Sequence, residues 1–197
     1  MKLILASASR SRAQMLKAAG VSFEIVPAHV DEESVKQSLL AERASARDVA
    51  DALAELKAVR ISASHPGTLV LGADQVLAFG SELVSKCATL EEAASLLRRL
   101  RGKSHELISA AVLAKDGAPI WRQVDMASLR MHDFSDEFLA DYLASEGEGL
   151  LSGVGCYRLE SRGVQLFEWI EGDYFTILGL PLIPLLTALR QQGILAQ

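Results

Sequence analysis

The sequence predicts an α/β fold built on a mixed β-sheet flanked by helices. Short apolar runs of strand length alternate with longer stretches of helical period. The alternation is not strictly strand–helix–strand, as an all-parallel sheet would need. Two long apolar runs also flank Asp116-Gly117, the dipeptide of a tight hairpin.

Taken in order, Lys2 to Ala6 reads as a short buried strand, and Arg10 to Ala19 as a helix stopped by Gly20. Ser22 to Pro27 alternates as a second strand, and the acidic run Asp31-Glu32-Glu33 leads into a helix. Arg47 to Ser64 carries a stripe of Val49, Ala52, Leu53, Leu56, Val59 and Ala63, ended by His65-Pro66-Gly67. Thr68 to Phe79 is the most apolar strand, interrupted by Asp74-Gln75. Thr89-Leu-Glu-Glu92 predicts a capping box for a helix that Gly102 closes. His105 to Ala114 and Ile120 to Met131 pair as strands, and Ser135 caps a helix bearing Phe138, Leu139, Tyr142 and Leu143. Glu146 to Gly155 reads as a glycine-rich loop and Val164 to Ile170 as a strand. Pro181 and Pro184 fit only the first turn of a last helix ending near Gln192.

The chain has 197 residues, 20 Lys+Arg against 25 Asp+Glu, a net charge of −5, and 50% hydrophobic residues. A chain of this size buries about 70% of its extended surface, enough for a core without disulfide or metal staples. No linker divides it, so residues 1–197 are expected to form one domain. No leader peptide or apolar run of membrane-spanning length is seen, which predicts a cytoplasmic protein. Cys87 and Cys156 are expected as free thiols there. His29, His65, His105 and His132 are too scattered for a zinc motif and are expected at surface or ordinary polar positions. The acidic balance and 6% aromatic content disfavour nucleic acid and anionic membranes as partners. A phosphate-bearing ligand must therefore meet a local cluster of positive groups.

Four places offer chemistry. In Leu5-Ala-Ser-Ala-Ser-Arg-Ser-Arg12, Ser7 or Ser9 can cap a helix whose first-turn amides point outward. Arg10 and Arg12 sit in that turn, where the helix dipole disfavours cations unless an anion binds there; otherwise they point into solvent. Asp74 interrupts an apolar strand beside Gly72, and a carboxylate there must be paired, metal-bound or turned into a cap. Asp31-Glu32-Glu33 reads on its own as a solvated helix start, although one of its carboxylates with Asp74 would satisfy a hard divalent cation. Lys57 is expected on the flank of its helix, not buried, and Lys86 one short hairpin beyond the Asp74 strand. Arg98, Arg99 and Arg101 are assigned to a solvated helix face. P-loop, dinucleotide-binding, nucleophile-elbow and zincin motifs are absent.

Together these segments resemble the Maf family of nucleoside triphosphate pyrophosphatases, from about Leu3 to Arg190. The family motif L-A-S-x-S-P-R-R corresponds to Leu5, Ala6, Ser7, Ser9 and Arg12, with Arg10 in place of Pro and Ser11 in place of Arg. V-D-E matches Val30-Asp31-Glu32, the helical K-A pair Lys57-Ala58, and G-[AS]-D Gly72-Ala73-Asp74. K-P is Lys86-Cys87 here, again without proline. L-R-x-L-x-G-x-x-H matches Leu97, Arg98, Leu100, Gly102 and His105; G-x-Y matches Gly155-Cys156-Tyr157, and G-L-P-L matches Gly179 to Leu182.

The resemblance implies an elongated mixed sheet in two lobes with a cleft between them, a nucleoside triphosphate substrate, a divalent cation (Mg2+, Mn2+ or Co2+) and often a homodimer. By motif position Asp74 is the catalytic acidic residue, activating water or holding the metal, with Glu32 a second acidic metal contact. Ser9, Arg12, Lys57 and Lys86 would line the triphosphate site. Substrate choice in the family follows the positions of Ser11, Gln75 and Glu160. Gln75 and Glu160 match the branch acting on 7-methyl-GTP rather than that acting on dTTP and UTP, and Ser11 matches neither. A carboxylate such as Glu160 can accept hydrogen bonds from the guanine N1–H and exocyclic amine. The family's link to septum formation supplies the rival expectation, a nucleotide-binding regulator of cell division with little turnover.

Overall fold

A computed structural model describes residues 2–196. It is a seven-stranded mixed sheet in the order β2-β1-β3-β5-β6-β7, with β4 paired to β3. The strands are β1 (Leu3–Leu5), β2 (Glu24–Ile25), β3 (Leu69–Phe79), β4 (Glu82–Val84), β5 (Ser104–Lys115), β6 (Ala118–Met131) and β7 (Phe167–Glu171). The helices are α1 (Arg10–Ala18), α2 (Glu32–Ala41), α3 (Ala46–Ala63), α4 (Leu90–Leu100), α5 (Asp136–Glu146), α6 (Tyr174–Ile177) and α7 (Leu182–Gln191). The fold class is the one the sequence predicts. Among the described residues, no helix is long and apolar enough to cross a membrane. Residue contacts group the chain into two compact units: one holds the residues up to Gln75, Ile108–Asp125 and those from Asp173 on, and the other Val76–Leu107 and Met126–Gly172.

In the first unit β1 runs parallel to β2 and β3, with Leu5 opposite Ile25 and Leu71. Side chains alternate along these strands, so both faces are buried. Leu3, Leu5, Leu69, Leu71 and Ala73 pack on Met15 and Leu16 of α1 and on Leu182, Leu185 and Leu189 of α7. Ile4, Ala6 and Val70 meet Ile61 of α3 on the other face. Ser45 opens α3 with a reciprocal box, its hydroxyl accepting from the Asp48 amide at 3.2 Å and the Asp48 carboxylate from the Ser45 amide at 3.0 Å. Gly72 shares its face of β3 with Val70 and Asp74, and there the helix backbone touches the strand. A Cβ on Gly72 would stand 2.6 Å from the Ala58 amide nitrogen and nearer still to the Ala54 carbonyl oxygen. Gly72→Ala must push α3 outward. It is expected to lower unfolding stability by about 1–3 kcal/mol, read as a lower denaturant midpoint at unchanged slope.

In the second unit the amphipathic α4 buries Ala93, Leu96, Leu97 and Leu100. Its cap differs in one leg from the predicted box: Thr89 accepts from the Glu92 amide, but the Glu92 carboxylate accepts from the Ala88 amide, at 2.7 Å. Arg98 and Arg99 are exposed as expected, ion-paired to Asp136 and Glu82, while Arg101 is partly buried and pairs with Asp136 at 3.0 Å. β7 pairs antiparallel with β6 and starts at Phe167. Residues 164–166, predicted as the beginning of that strand, belong instead to a 3₁₀ turn over Arg162–Leu166. Residues 147–152 of the glycine-rich stretch form another.

Of the four histidines, expected mostly at surface or ordinary polar positions, His105 is buried, only 3% exposed. Its Nε2 meets the Tyr157 hydroxyl at 2.7 Å, and burial presses its imidazole down to about 4, so it is neutral. Cys87 and Cys156 are free thiols, and burial pushes the Cys156 thiol up to about 12.

Candidate active site

β1 ends at Leu5, opposite Leu71, while β3 continues past it to Asp74. The carboxyl end of a parallel strand, where its neighbour turns away into a helix, is where open α/β sheets bind ligands. The turn out of β1 supplies Ser7, Ser9 and α1. Ser9 is the cap of that helix, its hydroxyl accepting from the Arg12 amide at 3.4 Å, and the first turn holds no acidic residue.

Asp74 is 6% exposed. Its cost is offset by Lys57, whose Nζ donates to Asp74 Oδ1 at 2.5 Å and lies 2.7 Å from Glu32 Oε1. The sequence places Lys57 on the helix flank, outside the core, and here the structure corrects it: Lys57 is 5% exposed. The buried face of α3 runs through Ala50, Leu53, Ala54, Lys57, Ala58 and Ile61, and is not the predicted stripe, of which Leu56 and Ala63 are exposed. Ala54 and Ala58 close on Gly72, and Lys57 lies on that same face. Glu32 sits in the first turn of α2, and its side chain keeps 46% exposure while reaching the same ammonium.

Burial raises the Asp74 carboxyl above its ordinary value, against the pull of Lys57 and Arg12, with Glu32 adding to the rise. Arg12 is buried too, its Nε donating to the Gly179 carbonyl at 2.8 Å and its Nη1 to the Ser7 hydroxyl at 3.0 Å. Burial lowers its pKa, opposed by Asp74 and Glu32. The arginine neither points into solvent nor is paired directly with a carboxylate, so an added anion would relieve part of its desolvation cost.

Ser11 and Gln75 are turned inward. The Ser11 hydroxyl donates to the Leu178 carbonyl at 2.9 Å. Gln75 Nε2 lies 3.0 Å from Ser109 Oγ, 3.1 Å from the Thr176 carbonyl and 3.0 Å from that of Ile177. Within the segment they hold, α6 is missing from the sequence reading because one four-residue turn shows no periodicity, while Gly179 is met there only as a motif residue. Ser9, Ser11, Arg12, Glu32, Lys57, Asp74 and Gln75 thus belong to the first unit. Lys86, exposed, and Glu160, whose carboxylate accepts from Arg158 Nε at 3.3 Å, belong to the second.

No group of three or more His, Cys, Asp or Glu side chains placed to hold a metal occurs among the described residues. Glu32 and Asp74 nonetheless converge on one point, now taken by the Lys57 ammonium. Two hard carboxylates suit a small divalent cation that takes its remaining oxygens from water and phosphate, so the residues present fit such an ion.

Residues 2–192 match the family described as Maf-like protein. The chain belongs to that family. A "Nucleoside triphosphate pyrophosphatase" from Caulobacter vibrioides is 56% identical over 191 residues, covering 97% of this chain and 96% of the relative. One of the same name from Sphingopyxis alaskensis is 52% identical over 198 residues, covering 100% of both. A crystal structure of a nucleoside-triphosphatase / dITP/XTP pyrophosphatase from Mycobacterium abscessus overlays 76% of this chain and 96% of its own with TM-score 0.39 and 19% identity, too low to bear on the assignment.

Proposed function

We propose that this Maf-family chain is a cytoplasmic nucleoside triphosphate pyrophosphatase, hydrolysing a nucleoside triphosphate to the monophosphate and diphosphate. The observation that carries it is the buried Lys57 shared by Asp74 and Glu32, with Asp74 on β3 just past the carboxyl end of β1, and the buried Arg12 in the first turn of α1. The printed names of its relatives support the same reading.

Phosphoryl chemistry asks mainly for charge neutralisation and an aimed nucleophile. Arg12, the amides of α1 capped by Ser9, and Lys57 supply the positive field for phosphate oxygens, and Lys86 joins them by motif position. Asp74 takes the proton of the water that attacks the α-phosphorus. The bond to the bridging oxygen breaks and diphosphate leaves. A divalent cation held by Glu32 and Asp74 would supply Lewis-acid polarisation of the phosphates. With that ion held there, the Lys57 ammonium would serve the phosphate oxygens rather than the two carboxylates.

The substrate we favour is 7-methyl-GTP, and the role the removal of modified nucleotides from the precursor pool. Gln75 and Glu160 support that preference by motif position, with Ser11 at the third specificity position. A panel of canonical and modified nucleoside triphosphates with Mg2+, Mn2+ or Co2+ tests both statements. Metal-dependent diphosphate release with the highest kcat/KM on 7-methyl-GTP is expected. Faster turnover of dTTP or UTP per KM overturns the preference, and tight binding without turnover favours the regulatory role.

A further inference from the structure

Four consecutive backbone carbonyls, from Thr176 to Gly179, are each taken by a side chain from elsewhere in the first unit. Ser109 Oγ donates to the Thr176 carbonyl at 2.7 Å, Gln75 reaches those of Thr176 and Ile177, Ser11 that of Leu178, and Arg12 that of Gly179. Ser109 and Thr176 are both 0% exposed. Ser109 spends its one proton on Thr176, so toward Gln75 it has only lone pairs to offer.

The Gln75 amide nitrogen therefore faces three acceptors with two protons. Turning the amide over would set its oxygen against two carbonyl oxygens and those lone pairs, which leaves one stable orientation. In that orientation Gln75 Oε1 faces Gly179, 3.8 Å from where a Cβ would be, and Arg12 Nε and Nη2 lie 3.6 Å from the same point. Gly179 has φ +103°, so the notch beside it stays open.

We propose that Ser109 is a positioning residue for substrate choice: with the carbonyls of Thr176 and Ile177 it fixes the Gln75 amide so that a ligand meets only its oxygen. This rests on the proposed nucleotide substrate. Gln75 then accepts from a base bearing N–H or NH2 and offers nothing to a keto oxygen. Substitutions at position 11 reach the base indirectly, through the segment that Ser11 shares with Gln75.

The test uses Ser109→Ala and Gln75→Leu in the full chain. Side-chain amide NMR, assigned by the signal lost in Gln75→Leu, should find the Gln75 NH2 protected from exchange in the unsubstituted protein and less protected in Ser109→Ala. The kcat/KM ratio for 7-methyl-GTP over UTP should fall about 10-fold in Ser109→Ala, mainly through KM, because the Thr176 carbonyl loses the hydroxyl that holds it and the amide loses one acceptor, so its oxygen is aimed less firmly at the base. A ratio within twofold of the unsubstituted protein's in either variant overturns the proposal, as does an unprotected Gln75 amide before substitution. If no nucleotide is turned over, the function proposed above fails, while the NMR arm still decides whether Ser109 holds the amide.

Discussion

Asp74→Asn is expected to reduce diphosphate release by about 10³-fold with the fold intact, since removing a general base costs typically 10²–10⁴. Asparagine keeps the shape, and its oxygen can still accept from Lys57, but it can neither take a proton from water nor bring a charge to a cation. The buried Lys57 ammonium is then left with only the half-exposed Glu32 as counter-charge, so the variant should fold but unfold at a lower denaturant concentration.

The pH dependence follows with a definite sign. A carboxyl raised in the folded state stabilises the fold below its unfolded pKa of about 3.9, and that contribution is lost as pH rises through the folded value. Activity runs the other way, because the base works only when ionised. The kcat profile should drop as pH falls through the raised Asp74 pKa, and Asp74→Asn should lose that limb. An unchanged acid limb at full activity would remove Asp74 from the reaction.

Lys57→Met has the second large effect, and a different signature. The ammonium is the one cation in direct contact with Asp74 among the described residues. Removing one partner of a buried pair leaves the other charge uncompensated, typically at a cost of about 3–5 kcal/mol. The exposed Glu32 adds little to that figure, because water screens it. The destabilisation should be full at pH 8 and smaller at pH 5, where an unpaired Asp74 takes up a proton instead. Loss of a positive group aimed at phosphate should also cut kcat/KM by about 10²–10³-fold. Equal destabilisation at both pH values would mean that the pair does not carry the charge balance of the site.

The readable parts of the fold were those where one residue type settles the local physics. A carboxylate inside an apolar strand has to be paired, and Asp74 is. Ser7 or Ser9 can cap at the strand-to-helix junction, and Ser9 does. The sequence misplaces Lys57 because the stripe through Leu56, Val59 and Ala63 is not the face that packs: small residues, Ala50, Ala54 and Ala58, make the buried face against Gly72, and Lys57 lies among them. β2 is two exposed residues, shorter than the alternation from Ser22 to Pro27 suggests: β1 ends at Leu5, so the register stops at Ile25, with one more bond from the Val26 amide to the Leu5 carbonyl. Ser109 and Thr176 carry no signal at all: a serine in an apolar strand and a threonine in a four-residue helix look ordinary until their partners are seen. The family motifs bring the site residues together in a list, but not which of them hold one another in place.

The central claim is that water attacks the α-phosphorus of a nucleoside triphosphate. Hydrolysis in ¹⁸O-labelled water, with mass analysis of both products, tests it most directly. The expected result is one labelled oxygen in the nucleoside monophosphate and none in the diphosphate. Label in the diphosphate, or release of labelled orthophosphate, would place the attack on another phosphorus and contradict the roles given to Asp74, Lys57 and Arg12.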